Sequence, residues 1–236
     1  MQIHLIDGGD KMRKVGLLGL LFLGAACLQA ADIGQGHFPV TLSLIGGTQL
    51  TDSFSAKNTD GFISTQQYPG SSYSTHQPRW EVGVGSEFRL PFHNIRFEVD
   101  GLAKRLGYDN TTGSGANLAT HPTTATQWEI PGMFKFNFSL GHYRPFALVG
   151  ASYRHISTIS RYSIPYGAGP VATDNAPELV NRNSFGGVAG VGFTFKKGPF
   201  EFSPQVRYTR WANQSFSGYG FRTNLDQGDA LIAIGF

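Results

Sequence analysis

Residues 79–106 read "RWEVGVGSEFRLPFHNIRFEVDGLAKRL". In the first half Trp80, Val82, Val84, Phe88 and Leu90 share one parity, while Glu81, Glu87 and Arg89 share the other. In the second half Ile95, Phe97 and Val99 oppose Arg96, Glu98, Asp100 and Lys104. Successive side chains of a strand point to opposite faces, so each half reads as a strand with one apolar and one charged face. Only "PFHN" (91–94) separates them, which is a hairpin turn by length and composition.

The same pattern extends in both directions. Eight alternating runs cover 38–50, 79–90, 95–106, 127–138, 143–155, 184–196, 200–211 and 229–236. Their connections alternate between short and long. "PFHN", "SLGH" (139–142) and "KGP" (197–199) are tight turns. Residues 51–78, 107–126, 156–183 and 212–228 are long and rich in Ser, Thr, Asn, Gly and Tyr. Three turns at one end and four loops at the other predict an all-β fold, an eight-stranded antiparallel up-and-down transmembrane β-barrel, with both termini at the turn end. Most runs reach the ~9–11 residues that a tilted strand needs to cross a bilayer.

Composition agrees. Of 236 residues only 15% are charged and 40% hydrophobic, while Gly (31), Phe (19) and Tyr (9) are abundant. The formal charge is +3, and without residues 1–31 it is 16 basic against 14 acidic, or +2. No basic patch concentrates this charge, so nucleic acid is not an expected partner.

The beginning of the chain reads as a targeting segment. "KMRKVGLLGLLFLGAACLQAAD" (11–32) has a basic start, an apolar stretch and then small residues, the layout of a secretory signal peptide. Residues 1–31 are accordingly assigned to the signal, with Met12 an alternative start, and 32–236 to the barrel. The Val15–Leu23 run is too short for a membrane helix, which needs ~20 residues. Cys27 is the sole cysteine. Gly24 occupies the position where a lipid-acceptor motif carries Leu, so Cys27 reads as discarded with the signal. The mature chain then has no disulfide and no thiol metal site, and neither metal nor cofactor is expected.

Parity alone does not say which face is inside. A soluble lipocalin-like barrel gives the same alternation with the faces reversed. Three features favour the membrane arrangement. Aromatic residues on the apolar face gather at two levels. Trp80, Trp128, Tyr153 and Tyr208 lie at the loop end, and Phe88, Phe136, Phe138, Phe195, Phe200 and Phe236 toward the turn end. The charged face also carries Gly83, Gly85, Gly150, Gly190, Gly192 and Gly235, which leave room in a narrow lumen. Finally, the exported chain closes on "DALIAIGF" (229–236), whose Ala230, Ile232, Ile234 and Phe236 alternate with Leu231, Ala233 and Gly235.

Across 38–236 the chain resembles the small eight-stranded outer-membrane barrels of the OmpA and OmpX type. The resemblance rests on strand number, turn–loop asymmetry and the final strand. It implies a bacterial outer-membrane location, contact with outer-membrane lipids, and recognition of Ile232, Ile234 and Phe236 by the barrel-assembly machinery. It does not imply an activity.

Eight strands enclose an interior that side chains just fill, whereas an open porin needs ~16–18. The inward set is Glu81, Glu87, Arg89, Arg96, Glu98, Asp100, Lys104, Glu129, Lys135, Arg144, Arg154, Glu201 and Arg207. Buried charges must pair, so these residues read as an ion-pair plug rather than a gated pore. The loops offer Tyr68, Tyr73, Tyr162, Tyr166 and Tyr219 as anchors for an external ligand, Tyr among Ser and Gly being suited to adaptable binding. Oligomerisation has no sequence signature, and a monomer is the expectation.

Catalytic motifs are scarce. "RHIS" (154–157) sets His155 and Ser157 two apart on one face. This is similar to the His-x-Ser of the outer-membrane lipid A deacylases, which implies an alternative esterase role for the pair. Thr158 stands where that family has Asn, and no outward carboxylate lies near. The non-enzymatic reading is therefore preferred. Deleting Phe236 should reduce the heat-modifiable, membrane-inserted fraction and leave external binding by the inserted molecules unchanged, as read by gel mobility of purified membranes.

Overall fold

The eight alternating runs form eight of the twelve strands in the computed structural model, which describes residues 40–56, 72–76, 78–91, 94–112, 119–138, 144–165, 171–173, 176–218 and 221–236. They are β1 (Val40–Gln49), β2 (Phe54–Ala56), β3 (Ser72–Thr75), β4 (Trp80–Arg89), β5 (Ile95–Thr112) and β6 (Ala119–Asn137). Next come β7 (Arg144–Pro165), β8 (Val171–Thr173), β9 (Asn183–Lys197), β10 (Phe200–Trp211), β11 (Phe221–Thr223) and β12 (Asp226–Gly235). The signal-peptide assignment, and the Met12 and Cys27 readings with it, lies outside the described residues.

Eight long strands form the ring β1-β4-β5-β6-β7-β9-β10-β12, every neighbour antiparallel. β12 pairs back onto β1 from Ser43↔Gly235 to Gln49↔Asp229 and closes it. Closure leaves no edge in the ring, the condition for placing backbone in hydrocarbon. Phe236 is itself tied down, its N–H donating to the Leu42 carbonyl at 3.0 Å. No helix among the described residues is long and apolar enough to cross a membrane.

The β9–β10 turn occurs where expected, and Gly198 supplies the positive φ (63°) that it requires. The long segments differ from expectation. β5 continues to Thr112, β6 begins at Ala119 and β7 reaches Pro165, so much of 107–126 and 156–183 is strand. These extensions are rich in Thr and Ser on the outer face, so apolar alternation gives no signal there. β12 likewise begins at Asp226, three residues before the expected start. Beyond the ring, β3 pairs with β5 and β8 with β7, while β2 and β11 form a separate two-stranded sheet.

One residue re-aims the upper part of β7. Thr126 pairs with Ser157, but Thr124 pairs with Ser160, so β7 carries an extra residue there. Thr158 has φ 49°, unusual for a β-branched residue. A bulge shifts parity. Below it Arg154 and Ile156 are buried; above it Ile159 and Arg161 are.

The faces are those of a membrane barrel. Val191 is 63% exposed and Phe185 66%, and Ile130, Phe134, Val149 and Ile232 are exposed around the same wall. Such a belt is an aggregation surface in water and the natural surface in lipid. Inside, Leu231 and Ala233 are buried beside Ile45 and Leu102. Phe146 and Leu148 share the parity of Arg154; they are buried against Met133 and Val188 as an apolar wedge. The reversed, lipocalin-like arrangement is thereby corrected: the apolar face is outside. Glycine makes this filling possible. A Cβ on Gly192 would lie 2.5 Å from the Phe146 ring, and one on Gly85 2.4 Å from Asp100 Oδ1.

Thr158→Gly should relieve the left-handed strain and stabilise the barrel by ~1 kcal/mol. Urea unfolding in detergent micelles is the measurement, and an unchanged or lower midpoint would count against the strain.

Candidate functional site

The closed ring faces charges from non-adjacent strands toward one axis, where they meet in linked clusters. Toward the turn end Arg96 pairs with Glu87, and Lys135 bridges Glu87 (2.7 Å) and Glu98 (3.4 Å). Arg96 also approaches Glu201 (3.7 Å), which Lys196 reaches from the rim (3.2 Å). Lys135 Nζ lies 4.2 Å from the centre of the Phe146 ring, a cation–π contact. A cavity of about 20 Å³ remains among Glu87, Glu98, Lys135 and Glu201, room for about one water.

Higher in the lumen Arg207 spans Glu98 (2.7 Å) and Asp100 (2.6 Å). Lys104 meets three carboxylates, Glu81 (3.2 Å), Glu129 (3.4 Å) and Asp229 (3.6 Å). Gln227 donates to Glu129 (3.2 Å) and Asp229 (2.7 Å), and accepts from Trp211 Nε1 (3.1 Å). Arg154 stacks on Trp211 at 4.2 Å and donates to the Asn213 carbonyl (2.9 Å).

Eleven of the thirteen expected lumen residues are therefore inside. The two exceptions are Arg89 and Arg144, which are exposed. Both end their strands at the turns, where inward parity no longer means enclosure. Asp229 and Gln227 are lumen residues that sequence reasoning missed. Their signal was the parity they share with Leu231 and Ala233.

Above the lumen the described loop segments fold into a lid. Phe54, Tyr108, Phe216 and Phe221 are buried together with Leu106, Ala125, Ile156 and Ile159. Phe54 sits 5.2 Å from Tyr108 and 5.9 Å from Phe216, ring centre to ring centre. Tyr73 stacks on Phe221 at 5.0 Å, so this expected ligand anchor is a lid residue. Tyr162 is exposed on β7 and remains available. Tyr68, Tyr166 and Tyr219 lie outside the described residues.

Glu178 pins the lid. It is buried, and accepts from Arg161, from Asn110 Nδ2 (3.1 Å) and from Tyr108 OH (3.3 Å). His121 of β6 also feels both charges. Burial pushes the Glu178 carboxyl up, but the hydrogen bonds and the Arg161 charge outweigh it and hold it below its usual range. The bulge at Thr158 is what turns Arg161 toward it.

The outer girdle holds the remaining candidates. Trp80, Phe88, Trp128, Phe136, Phe138, Phe200 and Tyr208 are exposed, and Tyr153 and Phe195 partly so, all on the lipid-facing parity. Ile232, Ile234 and Phe236 are also exposed there. His155 and Ser157 face outward on β7 but engage different partners. His155 Nδ1 bonds Asn183 Oδ1 at 2.7 Å. Ser157 Oγ accepts from Trp128 Nε1 (3.1 Å) and donates to the Thr126 carbonyl (3.5 Å). Among the described residues no hydrogen bond joins Ser157 Oγ to the His155 imidazole. Among the described residues no group of His, Cys, Asp and Glu is arranged to hold a metal.

No protein-family model matches the chain, and no curated protein matches it in sequence. Solved structures with weak overall similarity include Neisserial surface protein A, NspA, at 12% identity and TM-score 0.45, covering 85% of this chain and 98% of that one. The outer membrane protein OprG from Pseudomonas aeruginosa shares 11% identity at TM-score 0.46, covering 84% and 93%. Ail, the attachment invasion locus protein of Yersinia pestis solved with the heparin analogue sucrose octasulfate, shares 11% at TM-score 0.33, covering 85% and 98%. The barrel assignment rests on the closed ring of strand pairings.

Lys104→Met should destabilise the barrel by ~3–5 kcal/mol, because three buried carboxylates lose their cation; the urea midpoint in micelles measures it. Glu178 has a depressed folded-state value, so its contribution is complete above the unfolded value of ~4.3 and fades as pH falls through the folded one. Protease cleavage in 176–218 should therefore rise in acid, and Glu178→Gln should show that susceptibility already at neutral pH.

Proposed function

We propose that this chain is a bacterial outer-membrane barrel that transports no solute and catalyses no reaction, and that acts at the cell surface through the sheet and lid above its outer girdle. The carrying observation is the contrast between the two ends of β5–β7. Within the ring the lumen is filled by paired charges and roofed by the Phe54–Tyr108–Phe216–Phe221 cluster. Beyond it, β5, β6 and β7 run on as a polar sheet whose outer face carries Thr124, Thr126, Ser160 and the exposed Tyr162. The apolar outer wall supports this location. Contact with membrane lipids and insertion by the barrel-assembly machinery, with Phe236 as part of the recognised strand, belong to the same reading.

The engagement of Ser157 Oγ by Trp128 and Thr126 supports the non-enzymatic side of this proposal. A nucleophile needs its proton within reach of a base. The loop carboxylate Glu178 is engaged by Arg161 within the lid.

In planar bilayers the folded protein should show no conductance steps. Cells displaying a chain whose β5–β6 hairpin is shortened across 107–124 should keep a heat-modifiable barrel and lose surface adherence. Stable channels from the wild type, or unchanged adherence without the hairpin, would overturn the proposal.

A further inference from the structure

The turn end of the ring is basic. Arg89 ends β4, Arg144 begins β7, and Lys196 and Lys197 end β9, and all four are exposed. They are scattered along the sequence, and the ring gathers them at one rim. Among the described residues this rim has no exposed side-chain carboxylate. Its two carboxylates turn inward and are already shared. Glu87 holds Arg96 and Lys135 (2.7 Å), and Glu201 meets Arg96 (3.7 Å) and Lys196 (3.2 Å). Arg89, Arg144 and Lys197 make no ion pair among the described residues. Arg89 also stands directly opposite Arg96, which stands opposite Lys135 on its other side. Like charges facing each other across strands repel, and an anion beside Arg89 relieves that repulsion.

Height identifies the anion. The cations begin where the apolar wall ends. Arg89 follows the exposed Phe88, Lys196 and Lys197 follow Phe195, and the exposed Phe138, Phe200 and Phe236 complete the girdle at this level. Such a girdle marks the edge of the hydrocarbon, and lipid phosphates lie just beyond it. Long basic side chains reach them while their apolar stems stay in the interface. Lys197 shares the lipid-facing parity of Phe195. Arg89 and Arg144 have lumen parity, but no wall continues past them to enclose their charged heads. Position around the ring points the same way. β4 and β9 are four strands apart in either direction, so Arg89 and Lys197 stand on opposite sides of the barrel. A small ligand would meet one side, whereas the leaflet that surrounds a barrel meets both.

We propose that this rim is a docking collar for anionic phospholipid in the leaflet at the turn end, with Arg89, Arg144 and Lys197 pairing with headgroup phosphates. A zwitterionic headgroup also carries a phosphate, but its own cation offsets it, and net negative lipid is what unpaired cations attract. Lys196 is engaged by Glu201 and contributes less. The inference rests on the outer-membrane reading above and deepens its lipid contact by naming the class of lipid. It gives Arg89 and Arg144 a task at the height where enclosure by the ring stops.

The test uses the folded chain immobilised in micelles of an uncharged detergent, with folding checked first by heat-modifiable migration. It is offered equal amounts of phosphatidylglycerol and phosphatidylcholine, and the retained lipid is counted by mass spectrometry. The wild type should prefer phosphatidylglycerol at low salt and lose the preference at about 1 M salt, where exposed charges are screened. Arg89→Gln, Arg144→Gln and Lys197→Gln together should lower the preference about tenfold. Arg105→Gln, Arg182→Gln and Arg222→Gln, the same change of charge at exposed loop-end positions, should keep it. The salt arm needs no variant, so it decides even where a variant does not fold. Equal retention of the two lipids by the wild type, a preference that survives high salt, indifference to the turn-end substitutions, or an equal loss in the loop-end variant would each overturn the inference. So would retention of polyglutamate in preference to phosphatidylglycerol, the mark of a soluble acidic partner. Failure of the wild type to fold in micelles would instead strike the membrane reading beneath it.

Discussion

Closure of β1 onto β12 is the constraint on which the rest of this protein depends. Once Gln49 and Asp229 stand opposite each other, every long strand has two neighbours and every ring residue has an inside or an outside. A lipid-facing wall with unpaired backbone costs several kcal/mol per group, so an open form of this sheet has no place in a bilayer. The same closure fixes which charges meet. Lys104 of β5 meets Glu81 and Glu129 on the flanking β4 and β6, and the β1–β12 closure brings Asp229 of β12 to the same ammonium.

The lumen is consequently a conditional structure. Each ion is costly to bury alone and tolerable in company. Arg207 between Glu98 and Asp100, and Lys135 between Glu87 and Glu98, share carboxylates, so the clusters are linked through Glu98. The apolar wedge of Met133, Phe146, Leu148 and Val188 fills the space that charges do not need. Glycines at Gly85 and Gly192 keep the wall thin where Asp100 and Phe146 crowd it.

Much of this was legible in the sequence, for a physical reason. Where one face meets lipid and the other a charged lumen, hydrophobicity alternates, and Trp80 to Leu90 or Ile95 to Asp100 can be read by eye. The pattern fails where both faces are polar, so β6 from Ala119 to Thr126 looks like loop. It fails again at Thr158, whose bulge exchanges the two parities and turns Arg161 inward to Glu178. Arg89 and Arg144 obey the alternation yet escape enclosure, because parity carries no information about height. The contact of His155 with Asn183 depends on the β7–β9 register, which no local pattern encodes.

The orientation of the two faces is the central claim, and the chain's three tryptophans report on it directly. Trp80 and Trp128 are about half exposed on the outer wall, whereas Trp211 is 1% exposed inside, stacked under Arg154. Single-tryptophan variants, with the other two replaced by Phe, can be folded into vesicles whose acyl chains carry bromine. Strong quenching of Trp80 and Trp128 with little quenching of Trp211 is the predicted result. Quenching of Trp211 with protection of Trp80 and Trp128, or quenching of none of the three, would contradict it.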